Sequence, residues 1–396
     1  MYLFLLGRDK DLSKLELAIC LKKNNINYSI VINSEKYLIL DIKKEEEEIK
    51  EITKDLSGIV RIAHIYFVSK KITEEVSNRL NFNSPKKFNY TISSIDIDED
   101  ELGDIENILK INFKEEKVKA VYKKPVTHTK SKSKSLINRV ANPDNYFSWK
   151  IENGLELFVI KDINFYFGKT IFCPNPRELI FKDKNRPAIK EKYNTSFRLV
   201  SIMINLLNLN RGKTLVDPFC GTGTFLIEGL IKGYDVIGID VDFEMVDSAN
   251  KNVSWAASTF KLKNKYKIIR GSSANAKFQA DACVFEPYMG PFFKKLPNSV
   301  KARTLVKELN EIYSGVFLNL NKSLSKNARV VCILPEYKTN DKKIISINKD
   351  VFLKNGFRFV DVSKINEELD LKNPINYSTP DGSVINRTIN ILEKIN

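Results

Sequence analysis

Short apolar runs and amphipathic stretches alternate from the first residue. Tyr2–Leu6 is an apolar run of strand length. Between Leu12 and Lys23 the apolar positions Leu15, Leu17, Ala18 and Leu21 follow helical spacing. Tyr28–Ile32 and Tyr37–Ile42 read as strands joined through Asn33-Ser34-Glu35, a hairpin signal. Glu45–Leu56 is a charged helix closed by Gly58, and Val60–Val68 is a further strand. The order β-α-β-β-α-β predicts a ferredoxin-like unit over 1–69.

A second α+β region follows over 70–172. Lys70–Leu80 patterns as a helix and Phe88–Ile95 as a strand. An acidic run ending at Asp104 leads into a helix near Ile105–Asn112, and Val118–Lys123 is a strand. Lys130, Lys132 and Lys134 alternate with serines in a stretch of little apolar content. It is either a solvated loop or a segment that contacts phosphate. Leu155–Ile160 and Phe165–Ile171 are strands, and the Pro-, Lys- and Arg-rich stretch after Cys173 predicts a linker over 173–194.

From Thr195 strands and helices alternate. Thr195 or Ser196 caps a helix carrying Leu199, Met203, Leu206 and Leu207. Then come strand Thr214–Val216, a Gly-rich turn, helix Phe225–Lys232, strand Val236–Ile239 and helix Glu244–Val253. Later strands are Lys267–Arg270, Cys283–Phe285, Arg329–Leu334, Phe357–Val362 and Val384–Leu392. This succession predicts a doubly wound, mostly parallel sheet over 195–396.

Composition narrows the function classes. An apolar fraction of 43% with 24 Phe and 15 Tyr is enough to build two or three cores. A formal charge of +15 suits a polyanionic partner such as nucleic acid, or reflects a chain rich in Lys, Asn and Ile. The cysteines Cys20, Cys173, Cys220, Cys283 and Cys332 are scattered and odd in number, and only His64 and His128 join them. Neither a disulfide framework nor a metal site is expected, which points to a reducing cytosol. The N-terminus lacks signal-peptide features, and no window approaches the ~20 apolar residues of a membrane span. A cytoplasmic protein without membrane partners is the expectation.

The strongest chemical signal is Asp217-Pro218-Phe219-Cys220-Gly221-Thr222-Gly223-Thr224, a strand entering a Gly-rich turn at a helix start. Roughly 20 residues on, the next strand ends in Asp240, where nucleotide-binding α/β folds hold ribose hydroxyls. The dinucleotide fingerprint wants a third glycine, but Leu226 stands there, and Asp217 would repel a pyrophosphate. A carboxylate suits a ligand with a cationic centre and an amino group, namely S-adenosylmethionine.

That motif resembles the first cofactor motif of the THUMP-domain tRNA guanosine-N2 methyltransferases. Other segments do so too. Arg186-Pro187-Ala188 with Thr195-Ser196 resembles the motif before the cofactor loop. Leu155–Lys161 with Tyr166–Ile171 resembles the end of the THUMP region. Leu56–Ile62 resembles the N-terminal half of the guanosine-10 branch. The resemblance implies a ferredoxin-like plus THUMP-like N-terminal region (1–69 and 70–172) and a Rossmann-like class I methyltransferase domain (195–396). It implies tRNA as partner and a small activator subunit such as some relatives use. Asp217, Pro218, Phe219, Gly221, Gly223, Asp240 and Ser273 are the expected cofactor residues, with Asn275 or a backbone carbonyl as alternatives to Ser273. Lys130, Lys132 and Lys134 are the expected RNA contacts.

The family's catalytic motif, Asp-Pro-Pro-Tyr or its Asn form, resembles Glu286-Pro287-Tyr288-Met289 after strand Cys283–Phe285, with departures. Without a gap Glu286 replaces Asp, Tyr288 the second Pro and Met289 the Tyr. Shifted by one, Pro287 and Tyr288 match but Phe285 stands where Asp belongs. The resemblance implies that Glu286 accepts a hydrogen from the base's exocyclic amine while Tyr288 stacks on the flipped ring. The departures leave open a lapsed tRNA-binding protein, or an amino-methyltransferase on another RNA or on DNA.

Overall fold

The computed structural model describes all residues except 73–75, 77–85, 126–136, 141–153, 190–194, 292, 378–382 and 396. The helix expected over Lys70–Leu80 lies largely outside the described residues, and Lys130, Lys132 and Lys134 lie wholly outside them. The chain forms two compact units, one of Met1–Gly7, Ile26–Asp55 and Ile59–Ile180, the other of Arg8–Asn25, Leu56–Gly58 and Phe181–Asn396.

Along the first part of the chain run β1 (Tyr2–Leu6), α1 (Lys10–Lys23), β2 (Tyr28–Asn33), β3 (Tyr37–Ile42), α2 (Glu46–Thr53), β4 (Ile59–Ser69), β5 (Lys87–Ile97), α3 (Glu99–Glu115), β6 (Lys119–Tyr122), β7 (Ile137–Arg139), β8 (Leu155–Lys161) and β9 (Phe165–Phe172). The sheet order is β2-β3-β1-β4-β9-β8-β5-β6, with β7 on β5. The first four strands pair antiparallel throughout, as the ferredoxin-like pattern requires. β4 then pairs antiparallel with β9, so the sheet runs on into the strands of the second region. Helix α3 starts earlier than the expected Ile105, because the acidic run supplies its cap. Asp98 accepts from Glu101 N at 2.8 Å and Glu101 reaches back to Asp98 N, and the acidic first turn complements the helix dipole.

The second unit contains β10 (Thr214–Asp217), β11 (Asp235–Asp240), β12 (Tyr266–Arg270), β13 (Ala282–Phe285), β14 (Arg329–Lys338), β15 (Ile344–Ser346), β16 (Phe357–Phe359), β17 (Ile375–Tyr377) and β18 (Ile385–Lys394). Its helices after α1 are α4 (Pro176–Asn185, which begins in the first unit), α5 (Phe197–Leu206), α6 (Thr224–Ile231), α7 (Phe243–Thr259), α8 (Ser299–Ser323) and α9 (Asp350–Leu353). The order β12-β11-β10-β13-β14-β18-β16 is parallel from β12 to β14, and β18 lies antiparallel between β14 and β16. This is a doubly wound Rossmann-like sheet whose strand order reverses beside β10, and such sheets bind ligands at that switch point.

Other elements also differ from the pattern-based expectation, among them β7, β15, β17 and α9, which it did not include. The 173–194 stretch holds helix α4, opened by Pro176, where a missing N–H costs nothing. Helix α8 has no counterpart among the expected elements, although Ala302, Leu305, Leu309, Tyr313, Val316, Phe317 and Leu320 bury one face at helical spacing. Strand β16 stops at Phe359, short of Val362, because Asp361 caps a 3-10 turn over Val362–Ile365.

Helix α1, expected within the ferredoxin-like region, belongs to the second unit. Its buried Glu16 accepts from Ser57 N at 3.1 Å, Gly58 N at 2.6 Å and Asn205 Nδ2 at 2.6 Å. A Cβ on Gly58 would sit 2.7 Å from Glu16 Oε2 and 2.8 Å from Ser13 Cα, so only glycine fits.

Candidate cofactor and substrate site

Strand β10 ends on Asp217, whose side chain is 1% exposed. Its Oδ1 accepts from Phe219 N at 2.9 Å, and its Oδ2 is buried without a hydrogen-bond partner among the described residues. Burial foremost, then the charges of Asp240 and Glu286, pushes this carboxyl well above the usual carboxylate range. The turn that follows needs its glycines. Gly221 has φ 50°, and Gly223 has φ 86° and caps α6. A Cβ on Gly223 would press on Val253 Cγ2 at 3.3 Å.

Asp240, at the end of the neighbouring β11, organises the same turn. Its Oδ2 accepts from Gly221 N at 2.9 Å and its Oδ1 from Asp242 N at 3.0 Å. Leu226, which replaces the third glycine of a dinucleotide fingerprint, meets a glycine on the strand side instead. A Cβ on Gly238 would lie 2.5 Å from Leu226 Cδ1. The close approach of helix to sheet is thus made from β11.

Glu286 follows β13, the strand beside β10 on its other side. Thr195 Oγ1 donates to its Oε2, and Arg387 Nη2 lies 3.4 Å from its Oε1. Pro287 is buried and Tyr288 is 55% exposed. The loop is tied down through its backbone. Tyr313 Oη donates to Tyr288 O at 2.6 Å, and Tyr337 Oη donates to Met289 O. Burial pushes both phenols up, so they stay donors. The Tyr288 ring is therefore presented outward from a fixed main chain.

Asp217, Gly221, Gly223 and Asp240 thus meet at the ends of adjacent strands, with Glu286 close enough to act on the Asp217 charge. Pro218 and Phe219 lie in the same turn, and the Phe219 ring packs on Phe285 at 5.5 Å between centroids. Ser273 is buried, and its hydroxyl donates to Pro218 O, so it ties the β12 loop to the β10 turn with lone pairs left over. Thr195 and Arg387 join the site without having been expected there. Thr195 stands inside the motif before the cofactor loop, whereas nothing local marks Arg387.

Comparisons with known proteins bear on the domain that carries this site. The UPF0020 family model, described as an RMKL-like methyltransferase domain, matches residues 194–280. The chain carries a methyltransferase domain. The tRNA (guanine(10)-N2)-dimethyltransferase of Methanocaldococcus jannaschii is 28% identical over 309 residues, 72% of this chain and 80% of that protein. Its namesake from Methanothermobacter thermautotrophicus is 26% identical over 142 residues, 35% of this chain and 38% of that protein. The crystal structure of TrmN from Thermus thermophilus matches over 99% of both chains with TM-score 0.53 and 13% identity, a likeness of fold.

The residues of the methyltransferase domain fit S-adenosylmethionine. The unpartnered Asp217 Oδ2 is a buried carboxyl oxygen, and an ammonium group placed against it would offset the burial that now disfavours its charged form. Asp240 stands at the strand end where a ribose diol is held. Upstream, Asn252 fastens the approach to the turn by bonding Ala188 N at 2.8 Å and Thr222 O at 2.9 Å. Arg186 donates to Thr224 Oγ1 at 2.9 Å.

Proposed function

We propose that this protein is an S-adenosylmethionine-dependent methyltransferase that modifies the N2 amine of a tRNA guanosine, at position 10 as in the two named relatives. The observation that carries this reading is the convergence of two motifs at one sheet edge. The Asp217-to-Asp240 turn suits the cofactor, and Glu286-Pro287-Tyr288 beside it suits a flipped base.

When bound, the cofactor supplies an electrophilic methyl group. The protein's part is positioning. An exocyclic amine conjugated with its ring is a weak nucleophile, so its lone pair must be turned toward the methyl. Glu286 accepts one amine hydrogen, and a backbone carbonyl takes the other. Tyr288 offers its exposed ring to the base by stacking, worth ~1–3 kcal/mol. The 1–69 ferredoxin-like and 70–172 THUMP-like regions grip the structured RNA, aided by Lys130, Lys132, Lys134 and the chain's net charge of +15. Among the described residues no helix is long and apolar enough to cross a membrane. A cytoplasmic location suits work on tRNA.

Nucleoside mass spectrometry of tRNA incubated with protein and cofactor tests the proposal. N2-methylated guanosine is the expected product. Binding of tRNA and cofactor with no methylated nucleoside, with and without a small activator subunit, would make this a tRNA-binding protein that has lost its chemistry.

A further inference from the structure

Glu286 is one methylene longer than the Asp of the motif it resembles, and that length must be restrained if the carboxylate is to hold an amine. The restraint comes from a strand a hundred residues away. Arg387 lies on β18, opposite Pro335 of β14 and Tyr377 of β17. Because β18 runs antiparallel to β14, its first residues reach the edge at which the parallel strands end. Arg387 Nη2 faces Glu286 Oε1 at 3.4 Å while Thr195 Oγ1 donates to Oε2, so each oxygen has its own holder.

The surroundings suit a clamp. The Glu286 side chain is 18% exposed and that of Arg387 40%, so the pair is partly shielded from water. Tyr377, across from Arg387 in the sheet, has its phenol pushed up by burial first and then by Asp9. Arg8, Arg387 and Glu286 also act on it, and it remains neutral beside the pair.

We propose that Arg387 is a positioning residue that, together with Thr195, clamps Glu286 and fixes its acceptor geometry before substrate arrives. Freezing the added rotor in advance removes an ordering cost from the reaction step. This rests on the proposed function, since Glu286 must face a substrate amine.

The test compares wild type, Arg387→Met, Arg387→Lys, Thr195→Val, Glu286→Ala and the Glu286→Ala/Arg387→Met double variant of the full chain. Methyl transfer to tRNA, cofactor affinity by calorimetry and thermal unfolding are measured for each. Arg387→Met is expected to lower kcat on the order of 100-fold, the cost of a misplaced group. KM for tRNA and cofactor affinity should stay within about threefold, because the clamp acts on the chemical step through Glu286. Arg387→Lys should recover part of the loss, and Thr195→Val should lower kcat in the same way. In the Glu286→Ala background the Met substitution should add little, because the clamp then has nothing to hold.

The proposal is overturned if Arg387→Met leaves kcat intact, raises only KM for tRNA, or costs as much without Glu286 as with it. Should Arg387→Met fail to fold, an unaltered kcat in Thr195→Val overturns it. A wild type that makes no methylated nucleoside overturns the proposed function, and the clamp with it, and is distinct from an active wild type indifferent to Arg387.

Discussion

Replacing Asp217 by Asn should make the free protein more stable and its cofactor binding weaker. Asn keeps the acceptor for Phe219 N, which Oδ1 now holds at 2.9 Å, and removes an ionisable group from a site that is 1% exposed. In the folded chain burial raises this carboxyl, so the native state holds the proton more tightly than the unfolded chain, where Asp titrates near ~3.9. The sign follows from linkage. Asp217's contribution is fully present below the unfolded value and declines as pH rises through the folded one. Asn escapes that decline, so the stability difference, mutant minus wild type, should grow with pH above about 4.

Removing the ionisable group but not the unpartnered position should return on the order of 1 kcal/mol or more at neutral pH, because folding then no longer works against ionisation. Each kcal/mol appears as a melting shift of ~2–4 °C in a domain of this size. The cofactor loses a charge-assisted hydrogen bond worth ~1.5–3 kcal/mol. By affinity arithmetic that is a Kd about 10- to 150-fold weaker. Thermal melts of both proteins across the pH range, with calorimetric titration of S-adenosylmethionine, measure the two effects. A mutant that binds cofactor like wild type, or one less stable than wild type at every pH, would refute the assignment of Asp217 as an unpaired buried carboxyl kept for the ligand.

Further outcomes follow from the same geometry. Glu286→Ala should cut turnover ~100-fold or more while cofactor affinity stays near normal, and Glu286→Gln should keep partial activity, since an acceptor oxygen remains; paired kinetics and calorimetry decide. Asp240→Ala should weaken cofactor binding by ~1–3 kcal/mol, because it removes the ribose acceptor and frees Gly221 N and Asp242 N. Glu16→Gln places an amide against backbone donors at Ser57 and Gly58 and should cost ~1–3 kcal/mol, read as a lower melting temperature. Replacing Lys130, Lys132 and Lys134 together should flatten the salt dependence of tRNA binding by ~0.9 for each phosphate no longer neutralised; an unchanged slope makes the stretch a solvated loop.

Periodicity and turn chemistry made much of this protein legible in its sequence. Most strands of both sheets and the Gly-rich turn announce themselves locally, since burial of one face imposes a period and positive φ demands glycine, whereas the three-residue strands β7, β15 and β17 are too short to show one. Asp217 and Asp240 could be paired because a strand-helix-strand unit brings successive strand ends together. Tertiary structure alone decided what depends on contacts between distant segments. It moved Glu16 and its helix into the unit that holds the cofactor turn, through bonds to Ser57, Gly58 and Asn205. It let Gly238 take over the packing task of an absent third glycine, which shows only when Leu226 is set against it. It also delivered Arg387 to Glu286, because an antiparallel strand starts where its parallel neighbours end, a meeting that no local pattern encodes.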